Sequence, residues 1–195
     1  MTEVDVAPLV WSAVIAAVVI VGAVARRRGH RAASQAQDDA VRGRGWSATR
    51  NRGRLNGMWI HVDGTTDRGH RFRASKDTDP ESIGITLVEF TDLRPAVDLP
   101  SCTFRNGAVK FGRTRTCDST TTDRLEAAFD AAPLDVLTRY GDGTILLRRT
   151  RSGSGPVIIH LPDGSLATGA IATTVDALDA LVAEMLGNGL IQRTV

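Results

Sequence analysis

The sequence predicts an α+β protein with one N-terminal transmembrane helix and one soluble domain. The domain is predicted to hold a mostly antiparallel sheet with two to three helices on one face. Three observations predict this. Residues 6–25 contain no charged side chain. Several short segments between residues 57 and 161 alternate apolar and polar side chains, and the last long segment repeats its apolar residues with a helical period.

The uncharged segment 6–25 is long enough to cross a membrane. Twenty residues in an α-helix, at about 1.5 Å each, span a hydrocarbon core of about 30 Å. A cleaved signal peptide is the alternative, since Ala23–Ala25 fits a cleavage site of small residues. A signal peptide begins with basic residues, however, whereas this chain begins with Glu3 and Asp5. The flanking charges therefore favour an uncleaved anchor.

The charges around the anchor predict its orientation. Acidic residues precede it, and four arginines follow it: Arg26, Arg27, Arg28 and Arg31. Because positive charge stays on the cytoplasmic side, residues 1–5 are predicted to form a short extracytoplasmic tail and the domain to lie in the cytoplasm of the cell. In a reducing cytoplasm Cys102 and Cys117 remain thiols, whereas in an oxidising space they could pair.

Small residues recur at a spacing of four within the anchor. Ser12 and Ala16 form one such pair, and Ala13 and Ala17 form another. This spacing lets two transmembrane helices approach closely, so a homodimer through the anchor is an alternative that the sequence leaves open. Such pairs also arise readily by chance in an alanine-rich helix.

The rest of the chain divides into a linker and a domain. Residues 26–45 are polar and basic, without a sustained apolar stripe, and are predicted to form a juxtamembrane linker. Residues 46–195 are predicted to form the domain. Residues 26–76 hold 13 Lys and Arg against 4 Asp and Glu, whereas residues 77–195 hold 11 against 16. The basic part of the chain thus lies next to the predicted anchor.

Six segments have the composition and alternation of strands. They are residues 57–64, 69–74, 83–90, 108–111, 144–148 and 156–161. Residues 64–69 are rich in turn-forming residues and predict a hairpin between the first two segments. Asn106-Gly107 predicts a turn before the fourth segment, and residues 151–155 predict a flexible loop between the last two. The third segment is expected to be the best-buried strand.

Two segments change to the helical period. A helix is predicted over residues 120–132 with Thr122 as its N-cap, followed by a short helix over residues 134–137. The last helix is predicted to begin at Thr173 or Thr174. Its apolar stripe consists of Val175, Leu178, Leu181, Val182, Met185 and Leu186. Gly187 is predicted to end the helix.

An arginine-rich stretch is the strongest candidate for a binding site. It consists of Arg26, Arg27, Arg28 and Arg31 beside the anchor, then Arg42, Arg44, Arg50, Arg52 and Arg54, with Trp46 among them. Each arginine near an anionic leaflet contributes about 1 kcal/mol of attraction to lipid. Trp46 either adds an interfacial anchor or seals the start of the domain core. The sequence favours over lipid contact an interpretation in which Arg26–Arg31 only determine topology and the later arginines form a solvated face, and it favours binding of nucleic acid or another acidic partner least.

No recognised catalytic or cofactor-binding motif occurs in the sequence. His61, His70 and His160 can be drawn as a metal site together with Asp63. These histidines lack the close spacing of zinc motifs, so structural roles are favoured. Ser152–Gly155 lacks the first glycine of a nucleophile elbow and lies in a predicted hairpin loop. No metal or cofactor is predicted, and a non-catalytic role is favoured over an enzyme with scattered active-site residues.

Three short motifs follow one another along the chain. They are the arginine flank Arg26–Arg31, the pair Gly45-Trp46 at the start of the domain, and Leu99-Pro100 in its middle. This layout resembles a group of uncharacterised small single-pass membrane proteins of actinobacteria. The resemblance implies the architecture only, since this family has no established activity that could be carried over.

The sequence therefore predicts a membrane-anchored, non-catalytic interaction module and does not specify its biological process. The predicted partners are membrane lipid and a membrane or envelope protein, and nucleic acid is disfavoured. Binding of anionic lipid through the arginine-rich stretch is the first alternative. An enzyme with an unrecognised, scattered active site is the second.

Overall fold

A computed structural model gives the fold of the protein. It describes residue 39 and residues 41–52, 58–77, 86–112, 118–139, 143–161 and 170–194. Within these residues the chain forms an eight-stranded sheet, a two-stranded sheet, two long α-helices and one 3-10 helix, and residues 41–43 are also helical. The predicted α+β class with a mostly antiparallel sheet is confirmed.

The elements follow one another as predicted, with strands, a helix, further strands and a second long helix. They are β1 (Ser47–Arg52), β2 (Met58–Thr65), β3 (Arg71–Asp77), β4 (Thr86–Phe90), β5 (Leu93–Pro95), β6 (Cys102–Arg105), β7 (Ala108–Phe111), α1 (Ser119–Ala131), the 3-10 helix (Leu134–Arg139), β8 (Ile145–Leu147), β9 (Val157–Leu161), α2 (Ile171–Gly187) and β10 (Ile191–Arg193). The large sheet has the order β1-β2-β3-β4-β9-β8-β6-β7 with every pair antiparallel, and β10 pairs with β5 in the small sheet.

The predicted hairpins are confirmed. β2 pairs with β3 across a turn in which Gly69 has a positive φ of 81°. β8 pairs with β9 across residues 148–156. Between β6 and β7, Asn106 and Gly107 have φ angles of 52° and 73°. Two successive left-handed residues are what a two-residue hairpin turn requires, and Asn-Gly supplies them at little cost.

The large sheet has one buried face and one half-exposed face. One row of the buried face crosses six strands and consists of Val62, Ala74, Val88, Ile159, Leu147 and Cys102. These side chains belong to the same core cluster as the buried residues of α1, α2 and the 3-10 helix. The helices therefore pack on this one face, while the next row in each strand is partly exposed.

The first helix, α1, begins at Ser119, three residues before its predicted N-cap Thr122. Asp118 is the N-cap, and its carboxylate accepts a hydrogen bond from the Thr120 backbone N–H at 3.2 Å. The prediction of Thr122 as N-cap is wrong, because Thr122 lies inside the first turn and donates its hydroxyl to the Asp118 carbonyl. On the buried side of the helix, Phe129 stacks on Phe104 of β6 with ring centres 5.3 Å apart.

The second helix, α2, also begins before its predicted cap. Its first residue is Ile171, and Ala170 occupies the N-cap position without a side-chain hydrogen bond. The prediction of Thr173 or Thr174 as N-cap is wrong. Thr174 is fully buried, and its backbone N–H donates to the Ala170 carbonyl as an ordinary residue of the first turn.

The end of α2 is formed by two glycines. The helix ends at Gly187 as predicted, but Gly189 supplies the left-handed residue, with a φ of 64°. The Leu190 N–H then donates to the Met185 carbonyl at 2.9 Å, and the Gly189 N–H donates to the Leu186 carbonyl at 3.0 Å. These two bonds close the helix and turn the chain back toward β10.

Four strands, β1, β5, β6 and β10, were not among the predicted segments. β5 and β10 have three residues each, which is too short for an alternating pattern to be recognised. β6 has four residues. β1 lies within the arginine-rich stretch, whose polar composition is atypical of strands, and it forms the edge of the large sheet.

The domain begins before residue 46. Residues 41–43 are helical, and Val41 is 1 % exposed within the core. Residues 41–45 of the predicted linker thus belong to the domain. The described residues do not include the predicted anchor 6–25, the predicted linker before residue 39, or residue 40. Among the described helices, none combines the length and apolar composition that a membrane crossing needs.

Candidate functional site

The structure describes only part of the arginine-rich stretch. Arg26, Arg27, Arg28, Arg31 and Arg54 lie outside the described residues. Arg50 and Arg52 belong to the edge strand β1, where their backbones lie opposite Ile60 and Met58 of β2. Arg42, Arg44 and Trp46 precede this strand, and their side chains have three different environments.

Arg44 ties the chain entering the domain to α2. Its Nη1 and Nη2 atoms donate to the two carboxylate oxygens of Asp176 at 2.5 and 2.7 Å. Nη1 also lies 4.0 Å from Asp67, and the guanidinium carbon lies 5.3 Å from the centre of the Trp46 ring. The hydrogen bonds to Asp176 raise the pKa of Arg44 above its ordinary value. A forked pair fixes the guanidinium, so its charge is already neutralised within the domain.

Arg42 remains at the surface. Its side chain is 75 % exposed, and Nη1 lies 3.8 Å from Asp39 three residues earlier. An ion pair between two exposed side chains contributes little to stability and is readily exchanged for another partner. Of the two arginines in this segment, Arg42 is therefore the one accessible to a membrane or to another molecule.

Trp46 is part of the domain core. Its indole Nε1 donates to the Thr65 carbonyl at 2.8 Å, and its ring meets Phe72 edge-on with centres 4.8 Å apart. The ring also lies against Gly64: a Cβ atom at that position would approach Trp46 Cδ1 to 2.3 Å. Of the two roles that the sequence left open for Trp46, this position corresponds to sealing the start of the core.

A second polar group, the His70 cluster, joins the β2–β3 turn to α2. We define it as Thr66, Arg68, His70 and Asp179. A hydrogen bond of 2.8 Å joins His70 Nδ1 to Asp179 Oδ1, and both side chains are 2 % exposed. Arg68 Nη1 donates to the other oxygen of Asp179 at 3.2 Å. The His70 backbone N–H donates to the Thr66 hydroxyl, and the Thr66 N–H donates to the His70 carbonyl.

The geometry of the His70 cluster favours a structural role. A carboxylate that orients the Nδ1 side of a histidine also occurs in hydrolases, where the Nε2 atom serves as the base. That role needs an imidazole that a substrate can reach. Here the ring is buried and meets Phe90 edge-on at 6.5 Å, and Asp179 is shared with Arg68. The cluster instead satisfies a buried carboxylate with two donors, as a buried charge requires.

The other histidines lie elsewhere on the sheet. His61 and His160 occupy one row of the half-exposed face, with Ser75 and Leu87 between them. Three strand spacings separate them, which is about 14 Å. His61 Nδ1 shares a hydrogen bond with the Ser75 hydroxyl at 2.8 Å. Burial, and then the positive charge of Arg148, lower the pKa of His160. The residues drawn from the sequence as a metal site are thus not brought together.

The loop between β8 and β9 is held by hydrogen bonds. Ser152 donates its hydroxyl to the Ala96 carbonyl at 2.9 Å and its N–H to the Asp98 carboxylate at 2.8 Å. Ser154 donates its hydroxyl to the Arg151 carbonyl. Both serine hydroxyls thus act as donors in a turn, and the loop that the sequence predicts to be flexible is attached to the segment after β5.

Cys102 is buried on the helix-covered face of β6. Burial raises the pKa of its thiol to about 12, while a hydrogen bond with the Leu147 backbone acts in the opposite direction. The neutral thiol is the form that the fold favours. Its contribution to stability is complete below the ordinary pKa of 9.0 and is lost as the pH rises through about 12. Cys117 lies outside the described residues.

We therefore expect Cys102 to be unreactive in the folded protein. In a Cys117→Ser variant, maleimide labelling at pH 8 should be on the order of a thousandfold slower in the native chain than in guanidinium, because only the thiolate reacts. Labelling is measured by mass spectrometry, and an added surface thiol, Glu126→Cys, serves as the reactive control. Equal rates for Cys102 in the native and unfolded chains would contradict the prediction.

The acidic residues Asp176 and Asp179 of α2 were missed at the sequence level. They are three residues apart and therefore lie on adjacent positions of one helix face, toward the β2–β3 turn. The available signal was Asp179 itself, since an aspartate between Leu178 and Ala180 within an apolar helix requires a buried partner. The partner could not be identified, because His70 is 109 residues away in sequence.

Comparison with family models, with curated protein sequences and with solved structures gives no match for this chain.

Proposed function

We propose that this protein is a single-pass membrane protein whose α+β domain is a non-catalytic interaction module. The segment 6–25 serves as the anchor, the N-terminus lies outside, and the domain lies in the cytoplasm. Its partners are membrane lipid at the anchor and a membrane or envelope protein at the domain. The observation that carries the proposal is the attachment of the anchor-proximal chain to the domain core through Val41, Arg44 and Trp46.

This attachment limits the distance between the domain and the membrane. Val41 lies 16 positions after Ala25, the end of the predicted anchor. Even a fully extended chain of that length spans at most about 55 Å. A helical chain spans about 24 Å. The domain is therefore held within about one to two domain diameters of the bilayer, where it meets the proteins of the same membrane.

The described side chains favour interaction over catalysis. The His70 cluster is buried and internally satisfied, and the hydroxyl groups of Ser152 and Ser154 bond to backbone carbonyls. Arg44 is neutralised by Asp176, whereas Arg42 is exposed and remains accessible to lipid. Lipid binding through the arginine-rich stretch therefore receives less support than a count of its arginines implies. The arginines beside the anchor keep their proposed role in fixing its orientation.

The anchor is tested with the full chain in bacterial membranes. We expect the protein to stay in the membrane pellet after alkaline carbonate washing and to dissolve only in detergent. In the variant Ile15→Arg/Val19→Arg, two charges near the bilayer centre cost about 2.5–3.5 kcal/mol each, so the chain should be released. The matched control is Ile15→Leu/Val19→Leu. Release of the unaltered chain by carbonate would contradict the proposal that residues 6–25 anchor the protein in the membrane.

Orientation and partner are tested in the same membranes. A fluorescent protein at the C-terminus should fluoresce, whereas a phosphatase at the same place should be inactive; the reverse would move the domain outside the cell. Cross-linking followed by mass spectrometry should yield protein adducts of the domain. Recovery of lipid adducts alone would contradict an interaction module.

A further inference from the structure

We draw no further inference here: the strongest candidate, the half-exposed face of the large sheet around Leu87, Leu146 and Ile158, carries none because nothing in the structure shows what covers it.

Discussion

Replacing Asp179 with alanine is expected to destabilise the domain by about 2–4 kcal/mol. Asp179 is the shared acceptor of the His70 cluster, and the substitution leaves a buried imidazole donor without its partner and removes the counter-charge of Arg68. Each buried donor left unsatisfied costs about 1–3 kcal/mol, and removal of one partner from a buried charged pair reaches the upper part of this range. For a domain of this size we expect the midpoint of thermal unfolding to fall by about 6–12 °C.

The matched control is Asp176→Ala on the same helix. Asp176 is 41 % exposed and its pair with Arg44 lies at the surface, so its removal should cost about 1 kcal/mol or less. Both variants are compared by far-UV circular dichroism of the detergent-solubilised full chain. Similar losses in the free energy of unfolding for the two variants would contradict this prediction, because they would show that burial of the His70–Asp179 pair does not increase its contribution to stability. The His70 cluster would then be considered again as an accessible site.

The comparison of these two aspartates also shows the limit of what a sequence pattern can predict. The apolar stripe of α2 was predictable, because its period of 3.6 is contained in a single segment of chain. The residues that face the β2–β3 turn were not, since their partners come from distant segments. Arg44 and Asp176 are 132 residues apart, and His70 and Asp179 are 109 residues apart. A single sequence contains no signal that pairs them.

Local signals predicted the fold where the physics is local. The Asn106-Gly107 turn and the β2–β3 and β8–β9 hairpins depend on a few adjacent residues, and they were found. The predicted starts of both helices were wrong, because the local sequence does not determine which residue caps a helix. Several residues near the start of α1 have side chains able to cap, and the sequence pattern does not distinguish Asp118 from Thr122. Short strands such as β5 and β10 form only because tertiary contacts bring them together.

The candidate site illustrates a different limit. Counting arginines predicts a basic surface, but it does not reveal which of them the domain neutralises. Arg44 lies in the middle of the arginine-rich stretch and yet is held by a carboxylate of α2, while Arg42 two residues earlier is exposed. Charge counted along a sequence therefore overstates the charge that a folded surface presents to lipid.

Replacing Trp46 with alanine is expected to have the largest effect of any substitution in the segment that precedes β1. Removal of a buried tryptophan costs about 3–5 kcal/mol through lost burial and the cavity that remains. Here the loss includes the hydrogen bond to the Thr65 carbonyl and the edge-on contact with Phe72. Trp46→Phe should cost less, because it keeps most of the apolar volume and loses the indole donor. Unfolding of the full chain in detergent, followed by far-UV circular dichroism, measures both.

Gly64 provides the decisive control for this prediction. A Cβ atom at position 64 would collide with the Trp46 ring, so Gly64→Ala should destabilise the unaltered chain. In the Trp46→Ala background that collision is absent, and the same substitution should cost at least about 1 kcal/mol less. If Trp46 instead served as an interfacial anchor, Trp46→Ala would leave the unfolding of the domain unchanged and the two substitutions would be additive. Strong coupling between positions 46 and 64 would therefore show that the chain before β1 is attached to the domain core, which is the contact on which the proposed function rests.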